Sequence, residues 1–272
     1  MKMTQKINSS PLHIASKDVF ASLHCFGLIL MLGWQDVRQR YRRSSLGPFW
    51  ITLSMGIMIG VISLVFSRIL KAPLKEFLPF LAIGMIVWAF VTAVIMEGCN
   101  GFIAAEGIIK QLAIPMFVHI LRLVWRNLII FAHNIVILPL VFLVVGKPLS
   151  VVALLTIPAM LLAVLNLTWM ALILGVICAR YRDLPQIVNS LLQVVFYVTP
   201  IMWMPGILSK QAGLYLLDLN PVFHCLETVR APLLGVMPTT LNWLVSLVLA
   251  VLGWALALII YGHYKRRIAY WL

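Results

Sequence analysis

The chain has 272 residues, 62% hydrophobic and only 11% charged, yet its 21 Lys and Arg against eight Asp and Glu give a formal net charge of +13. A soluble domain is about 45–50% apolar and about 25% charged, so the composition argues against a soluble enzyme, and its hydrophobicity excludes intrinsic disorder. Lipid is the solvent for most of this chain, and the basic excess signals either nucleic acid or loops that follow membrane topology rules.

The first ten residues are polar and lack the apolar core and small-residue cleavage site of a signal peptide. The chain is expected to insert through its own spans and keep its N-terminus. Residues 19–34 are apolar but short and interrupted by Ser22, His24 and Gly27, which suits a helix lying in the membrane interface. Six runs then reach the length of about 20 apolar residues that a membrane helix needs. They cover 48–67, 79–97, 127–145, 151–179, 187–204 and 241–261. Pro158 inside the fourth predicts a kink or a displaced end. Between the fifth and last runs, 205–238 is too long for a turn and too apolar for a solvated loop. Two short helices around Asn220-Pro221, re-entrant or interfacial on the outer side, are expected there. The fold class is all-α and polytopic, a single domain over 1–272. Residues 1–47 form a cytoplasmic or interfacial N-terminal segment, 48–261 the spans, and 262–272 a cytoplasmic tail.

Placed on these spans, the 21 basic residues divide unevenly, with fifteen on the side of both termini and six (Arg68, Lys71, Lys75, Lys147, Lys210, Arg230) on the other. The positive-inside rule puts the richer side, and both termini, in the cytoplasm. Most of the excess is therefore topology, not a nucleic-acid signal. Cys25, Cys99, Cys178 and Cys225 have no metal-ligand spacing and imply neither a zinc site nor a disulfide framework.

Before the first span stands Arg40-Tyr41-Arg42-Arg43-Ser44-Ser45-Leu46-Gly47-Pro48-Phe49-Trp50. It resembles the R-Y-(R/K)-x-S-x-L-G-x-x-W sequence of ABC transporter permeases that export polysaccharides such as O-antigen, capsule and teichoic acid. Arg180-Tyr181-Arg182-Asp183 is similar to that family's R-(Y/F)-R-D loop, and Leu219-Asn220-Pro221 to its L-N-P segment. The stretch from Gly107 to Pro115 resembles its N-L-I-K-K-x-x-F-P, with Gln111 for the second Lys and Ile114 for the aromatic. The match runs in order from about Trp34 to the C-terminus. The resemblance implies a homodimer in the bacterial inner membrane, paired with a separate ABC ATPase. Its cargo would be undecaprenyl-pyrophosphate-linked glycan moving outward.

The residues themselves fit that reading. There is no G-x-x-x-x-G-K-(S/T) phosphate loop, because Gly146-Lys147 is followed by Pro148. The chain is thus expected to bind no cofactor and not to be an enzyme; ATP and Mg would be handled by the partner subunit. Between the second and third spans, Glu106 and Lys110 share a helix face beside Ile108, Ile109 and Leu112, ending at Pro115. An exposed apolar knob of this kind docks a partner, and in the resembled family it is the coupling helix; a plain interfacial anchor is the structural alternative. Span one carries Thr52, Gly56 and Gly60 in one small-residue stripe, suited to close helix packing or to a smooth channel wall. Span five places Asn189, Gln193, Phe196, Pro200 and Trp203 on one face with Tyr197 adjacent. Amides and aromatic rings offer a sliding glycan many weak contacts, while an interfacial aromatic belt also explains Trp203. Arg122, Arg126 and His133 share a face, with Glu97 as the available partner for an internal ion pair. With Arg40, Arg42, Arg43, Arg180 and Arg182 they form an arginine-rich inner rim, which anchors topology and under the resemblance meets the pyrophosphate of the lipid carrier.

Rival readings are an ABC permease for a drug or another lipid, and an ion-coupled secondary transporter. The second requires paired mid-membrane carboxylates and inverted repeats, whereas Glu97 lies alone near one end of its span and no repeat is evident. A reporter fused at residue 2 is expected to be active only in its cytoplasmic form. Activity only in the periplasm reverses the topology.

Overall fold

The computed structural model of the chain describes residues 10–42, 47, 49–148, 150–207 and 214–272. Among them the secondary structure is helical, with turns and no strand. The chain is an all-α, multi-pass membrane protein.

The N-terminal segment is longer and sharper than expected. It forms α1 (Pro11–His24) and α2 (Phe26–Arg40), bent by 72° at Cys25. Ser10 caps α1, its hydroxyl accepting from the His13 N–H at 3.3 Å, and Pro11 occupies the first turn, where its missing N–H is harmless. Helix α1 packs along the last helix and α2 along the sixth, so the pair is joined to the bundle.

Helix α3 (Phe49–Ile69) and α4 (Leu74–Cys99) cover the first two expected spans. The short α5 (Glu106–Gln111) follows. Span three begins ten residues early, as α6 (Phe117–Ile135), so Arg122 and Arg126 lie on the helix itself. It breaks at Val136 and continues as α7 (Ile137–Val145). Pro139 explains the break: its ring cannot share space with the carbonyl four residues earlier, at Ile135. Span four starts with a 3₁₀ turn at Val151–Leu155 and runs on as α8 (Thr156–Arg180), with Pro158 in its first turn; the proline displaces the helix start instead of kinking it.

Span five is shorter than predicted. Helix α9 (Leu184–Val198) has 15 residues, about 22 Å at 1.5 Å per residue, against a hydrocarbon core of about 30 Å. Pro200 ends it, because the residue before a proline is driven out of helical geometry, and Thr199 is extended. Beyond it lie a π-helical turn at Leu214–Asp218 and α10 (Pro221–Leu233), the expected pair of short helices. Asn220 caps α10 by accepting from Val222 N–H at 3.0 Å and Phe223 N–H at 3.2 Å, while its amide donates to Thr199 Oγ1 at 3.1 Å. The Asn-Pro pair is thus a helix start with a built-in tether to the end of α9. The last span and the tail are one helix, α11 (Thr240–Trp271), whose 32 residues extend about 48 Å. Among the described residues five helical stretches are long and apolar enough to cross a membrane, or six if α1 and α2 are one broken span.

Helix α4 is the centre of the bundle: 67% of its apolar window is buried, against 11% for α3. Arg230 of α10 is fully buried beside it, stacked 3.9 Å above the Phe80 ring. Its guanidinium donates to Glu227 Oε2 at 2.5 and 2.9 Å and to the Pro200 carbonyl at 2.6 Å. A charge cannot stay in such a place unpaired, so this one group ties α10 to α4 and to the turn after α9.

At the α5 end a second buried charge does the same work. Asp18 of α1 accepts from Phe117 N–H at 3.0 Å and Tyr261 O–H at 2.5 Å, and pairs with Lys265 Nζ at 2.5 Å. One carboxylate therefore holds α1 to the start of α6 and to α11. The helices meet closely because residue 262 is glycine; a Cβ there would lie 1.9 Å from the Pro11 carbonyl oxygen. Asp18→Asn is expected to cost about 3 kcal/mol, the low end for breaking a buried pair, since the Lys265 side chain stays 25% exposed. Gly262→Ala should also lower the thermal midpoint in detergent by separating α1 from α11. Unchanged melting of both variants excludes this joint as a source of stability.

Candidate functional site

Three guanidiniums and two carboxylates meet where α2, α4 and α6 converge. Asp36, one of the eight acidic residues in the whole chain, lies on α2. It takes a bidentate bond from Arg122, Nε at 2.7 Å with Nη2 completing the fork, and Nη1 of Arg126 at 3.0 Å. Glu97 on α4 accepts from Arg126 Nη2 at 2.6 Å and faces Arg40 Nη2 at 3.6 Å. Gly33 lets α2 come this near, since a Cβ there would lie 2.6 Å from the Trp125 ring. The expected pairing of Glu97 with an arginine of span three is present, with Arg126 as the partner. His133 is elsewhere: its Nδ1 lies 2.7 Å from the Ile129 carbonyl and its ring meets Phe49 edge-on at 5.9 Å.

Arg180 turns away from this cluster and stacks over Trp271 at 5.2 Å and Tyr181 at 5.4 Å, pinning the end of α11 to the end of α8. Arg42 and Arg182 are exposed at the same end, and Arg43 lies outside the described residues. The predicted inner rim is therefore two groups of arginines, one paired with Asp36 and Glu97 and one outward.

Helix α5 sits between these groups. Glu106 and Lys110 form an ion pair at 2.7 Å, Leu112 is 55% exposed, and Ile109 turns inward against the core. Ile108 is half-buried, and Pro115 ends the extended stretch leading into α6. The turn before α5 is anchored by Phe102, which is fully buried and stacked on Tyr261 at 6.4 Å and 7°. Tyr261 is the residue whose hydroxyl meets Asp18, so α5 joins α1, α6 and α11 through two rings and one carboxylate.

The predicted channel residues divide. Gln193 and Tyr197, one turn apart on α9, are both exposed, Tyr197 at 71%. Asn189 is half-buried, and Phe196 packs on Trp88 at 5.8 Å. Trp203 lies beyond the helix end, contrary to its placement on the helical face, because the chain turns at Thr199-Pro200; its indole N–H donates to the Tyr197 carbonyl at 3.1 Å. Helix α9 has no buried residue. On α3, Thr52, Gly56 and Gly60 line an apolar groove of about 650 Å³ against α7, with nothing within 4 Å of a Cβ at either glycine. At these two glycines the stripe makes no close helix contact within this subunit. Thr52 Oγ1 donates to Asn134 Oδ1 at 3.4 Å.

Asp18, Asp36 and Arg230 have roles here that the sequence pattern did not assign. Their signal was present: acidic residues and an Arg–Glu pair inside apolar helices need partners. Helix α5 also yields a proton-linked prediction. Lys110 bonded to Glu106, with a smaller pull from Arg182, lowers that carboxyl below its ordinary value of 4.5. A carboxylate with a lowered value contributes above its ordinary titration range, and the contribution is lost as pH falls through the lowered one. Carbon-13 titration should place Glu106 below 4.5, with Lys110→Ala moving it back up; an identical midpoint in both proteins removes the pair from consideration.

Three comparisons bear on this geometry. The sequence model described as ABC-2 type transporter matches residues 27–234. An O-antigen export system permease protein RfbA of Myxococcus xanthus is 26% identical over 208 residues, 75% of this chain and 79% of that protein. One of the same name from Klebsiella pneumoniae is 22% identical over 250 residues, 90% of this chain and 95% of that protein. The matched region runs from α2 to α10 and contains the charged cluster, α5 and α9. The chain belongs to the ABC-2 type transporter family.

Proposed function

We propose that this protein is the permease subunit of an ATP-driven exporter that moves a lipid-linked polysaccharide, O-antigen or a related glycan, out of the cytoplasm. The observation that carries the proposal is α5. A six-residue helix with a surface ion pair, followed by the exposed Leu112, is braced through Phe102 and Tyr261 to α1, α6 and α11. A lever of that kind suits a permease whose ATP and Mg are handled by a separate ATPase subunit, since the chain has no phosphate loop of its own. Both termini lie in the cytoplasm, and the membrane is the bacterial inner membrane. The relatives named as O-antigen export permeases support the cargo class.

The permease works as a homodimer. Helices α3 and α9 leave most of their surface uncovered in one subunit, and two copies of each enclose a passage between them. Gln193, Tyr197 and Asn189 face glycan hydroxyls and C–H faces with many weak contacts, so the polymer slides without a tight site; Phe196 backs them, and Trp203 closes the outer end. Thr52, Gly56 and Gly60 supply a low wall. Closure of the ATPase dimer on ATP pushes α5, and the Tyr261–Asp18 joint passes the motion to α11 and α1. Arg40, Arg42, Arg43, Arg180 and Arg182 at the inner rim attract the anionic headgroup of the carrier, while Arg122 and Arg126 sit behind them, held by Asp36 and Glu97.

Two variants separate the coupling and channel roles. Glu106→Lys with Lys110→Glu keeps the pair within α5 but reverses the face shown to the ATPase, and is expected to weaken ATPase association at least about tenfold. Gln193→Leu with Tyr197→Ala should leave association intact and reduce polymer export several-fold. Full export by the α9 variant excludes the channel assignment, and full association of the α5 variant excludes the docking role.

A further inference from the structure

The last helix outruns the membrane. Its apolar run, 241–261, extends about 31 Å and matches the hydrocarbon core of about 30 Å by itself. Helix α11 continues past that run to Trp271, at the α5 end of the bundle. At about 1.5 Å per residue, Arg266 and Arg267 stand about 8 and about 9 Å beyond the run, and Tyr270 about 14 Å. The headgroup layer on one side is about 5–8 Å deep. Tyr270 therefore clears it, and the two arginines reach its outer edge.

This projecting piece is held rigid on one side. Ile268 is fully buried, Lys265 pairs with Asp18 at 2.5 Å, and Trp271 lies under the Arg180 guanidinium at 5.2 Å. The other side carries His263, Arg266, Arg267 and Tyr270, at the i, i+3, i+4 and i+7 spacing of one helix face, and all four are exposed. Tyr270 is 93% exposed, more than any other large hydrophobic side chain among the described residues. Nothing in the chain answers the two arginines. All eight acidic residues are described, and none of them forms an ion pair with Arg266 or Arg267. At this end Asp18, Asp36, Glu97 and Glu106 are already spent on other cations. The helix macrodipole does not call for the pair either, since it acts within the last turn, and that turn has no basic residue. Lipid headgroups could meet the arginines but not a tyrosine standing clear of them.

We propose that this face of α11 docks an acidic surface of the ATPase subunit, as a second contact beside α5. Tyrosine and arginine on a preorganised helix are the residue types that dominate protein–protein contacts. Helix α5 packs against α11, so both surfaces belong to one end of the bundle. The two contacts divide the work. Helix α5 carries its own Glu106–Lys110 pair and brings little net charge, while Arg266 and Arg267 supply the unanswered charge that steers an acidic partner into register. The proposal rests on the export reading for the identity of the partner.

The test titrates the ATPase subunit onto the full-length permease in phosphatidylcholine nanodiscs, which contain no anionic lipid. Arg266→Glu with Arg267→Glu should weaken binding at least about tenfold, and Tyr270→Ala about fivefold. Arg266→Lys with Arg267→Lys keeps the charge and should lose less than about threefold. All three variants should melt with wild type, because the side chains they change are exposed. Raising salt from about 50 to about 300 mM should weaken wild-type binding more than that of the charge-reversed variant. The photo-crosslinker p-benzoylphenylalanine placed at position 270 should capture the ATPase in the assembled complex. Capture of a second permease copy, or of lipid alone, assigns the face to another occupant and overturns the proposal. Undiminished binding by the charge-reversed variant also overturns it, while leaving the export reading and the α5 contact intact. A wild-type permease that binds no ATPase removes the export reading and this face together.

Discussion

A charge placed among apolar helices must be met by a partner, and Asp18 shows what that requirement builds. In lipid there is no water to satisfy a carboxylate, so its neighbours are fixed in position by it. Phe117 supplies a backbone N–H, Tyr261 a hydroxyl and Lys265 an ammonium, from two different helices, to one side chain on a third. The start of α6, the lower part of α11 and all of α1 cannot move independently while those bonds hold. Tyr261 also stacks on Phe102, so the turn before α5 belongs to the same rigid unit. Helix α5 is short, but the body it is joined to is large.

The same rule repeats at Asp36, Glu97 and Arg230, each joining elements far apart in sequence. Asp36 and Glu97 bring α2 and α4 to α6, and Arg230 brings α10 to α4 and to the turn after α9. Dispersion packing between apolar helices in lipid tolerates sliding, because one greasy face resembles another. Directed polar bonds do not, and they set the register of the bundle. Removing one partner would leave a buried charge alone, which is more damaging than never having placed the pair.

Much of this architecture was legible in the sequence and some was not, for definite reasons. Hydropathy located the long spans because it reports an average over about 20 residues, and Pro158 and Asn220-Pro221 announced helix starts through local chemistry. It failed at α9, where Pro200 stops the helix inside an apolar run, since hydropathy does not distinguish helix from buried turn. It also failed at the start of α6, where Arg122 and Arg126 lower the average although both are neutralised by carboxylates on other helices. The reading had Glu97 as a partner but passed over Asp36 and Asp18, because tallying basic residues for topology ignores where the few acids lie. Trp203 left its predicted face for the same reason as α9: the helix carrying the pattern ends first.

The two poorly covered helices mark where the single subunit is incomplete. Helix α4 is central and well buried, while among the described residues α3 and α9 leave much of their apolar and aromatic surface uncovered. Their glycines and amides are out of place on a surface that meets only lipid, where Gly56 and Gly60 would forgo packing and Gln193 would stay unsatisfied. The homodimer with a hydrated passage proposed above is one arrangement that would answer both demands, since close approach uses small residues and water satisfies an amide. The charged joints and the uncovered helices thus divide the molecule: one part is held rigid by paired charges at the α5 end, and the other, α3 and α9, keeps most of its surface uncovered.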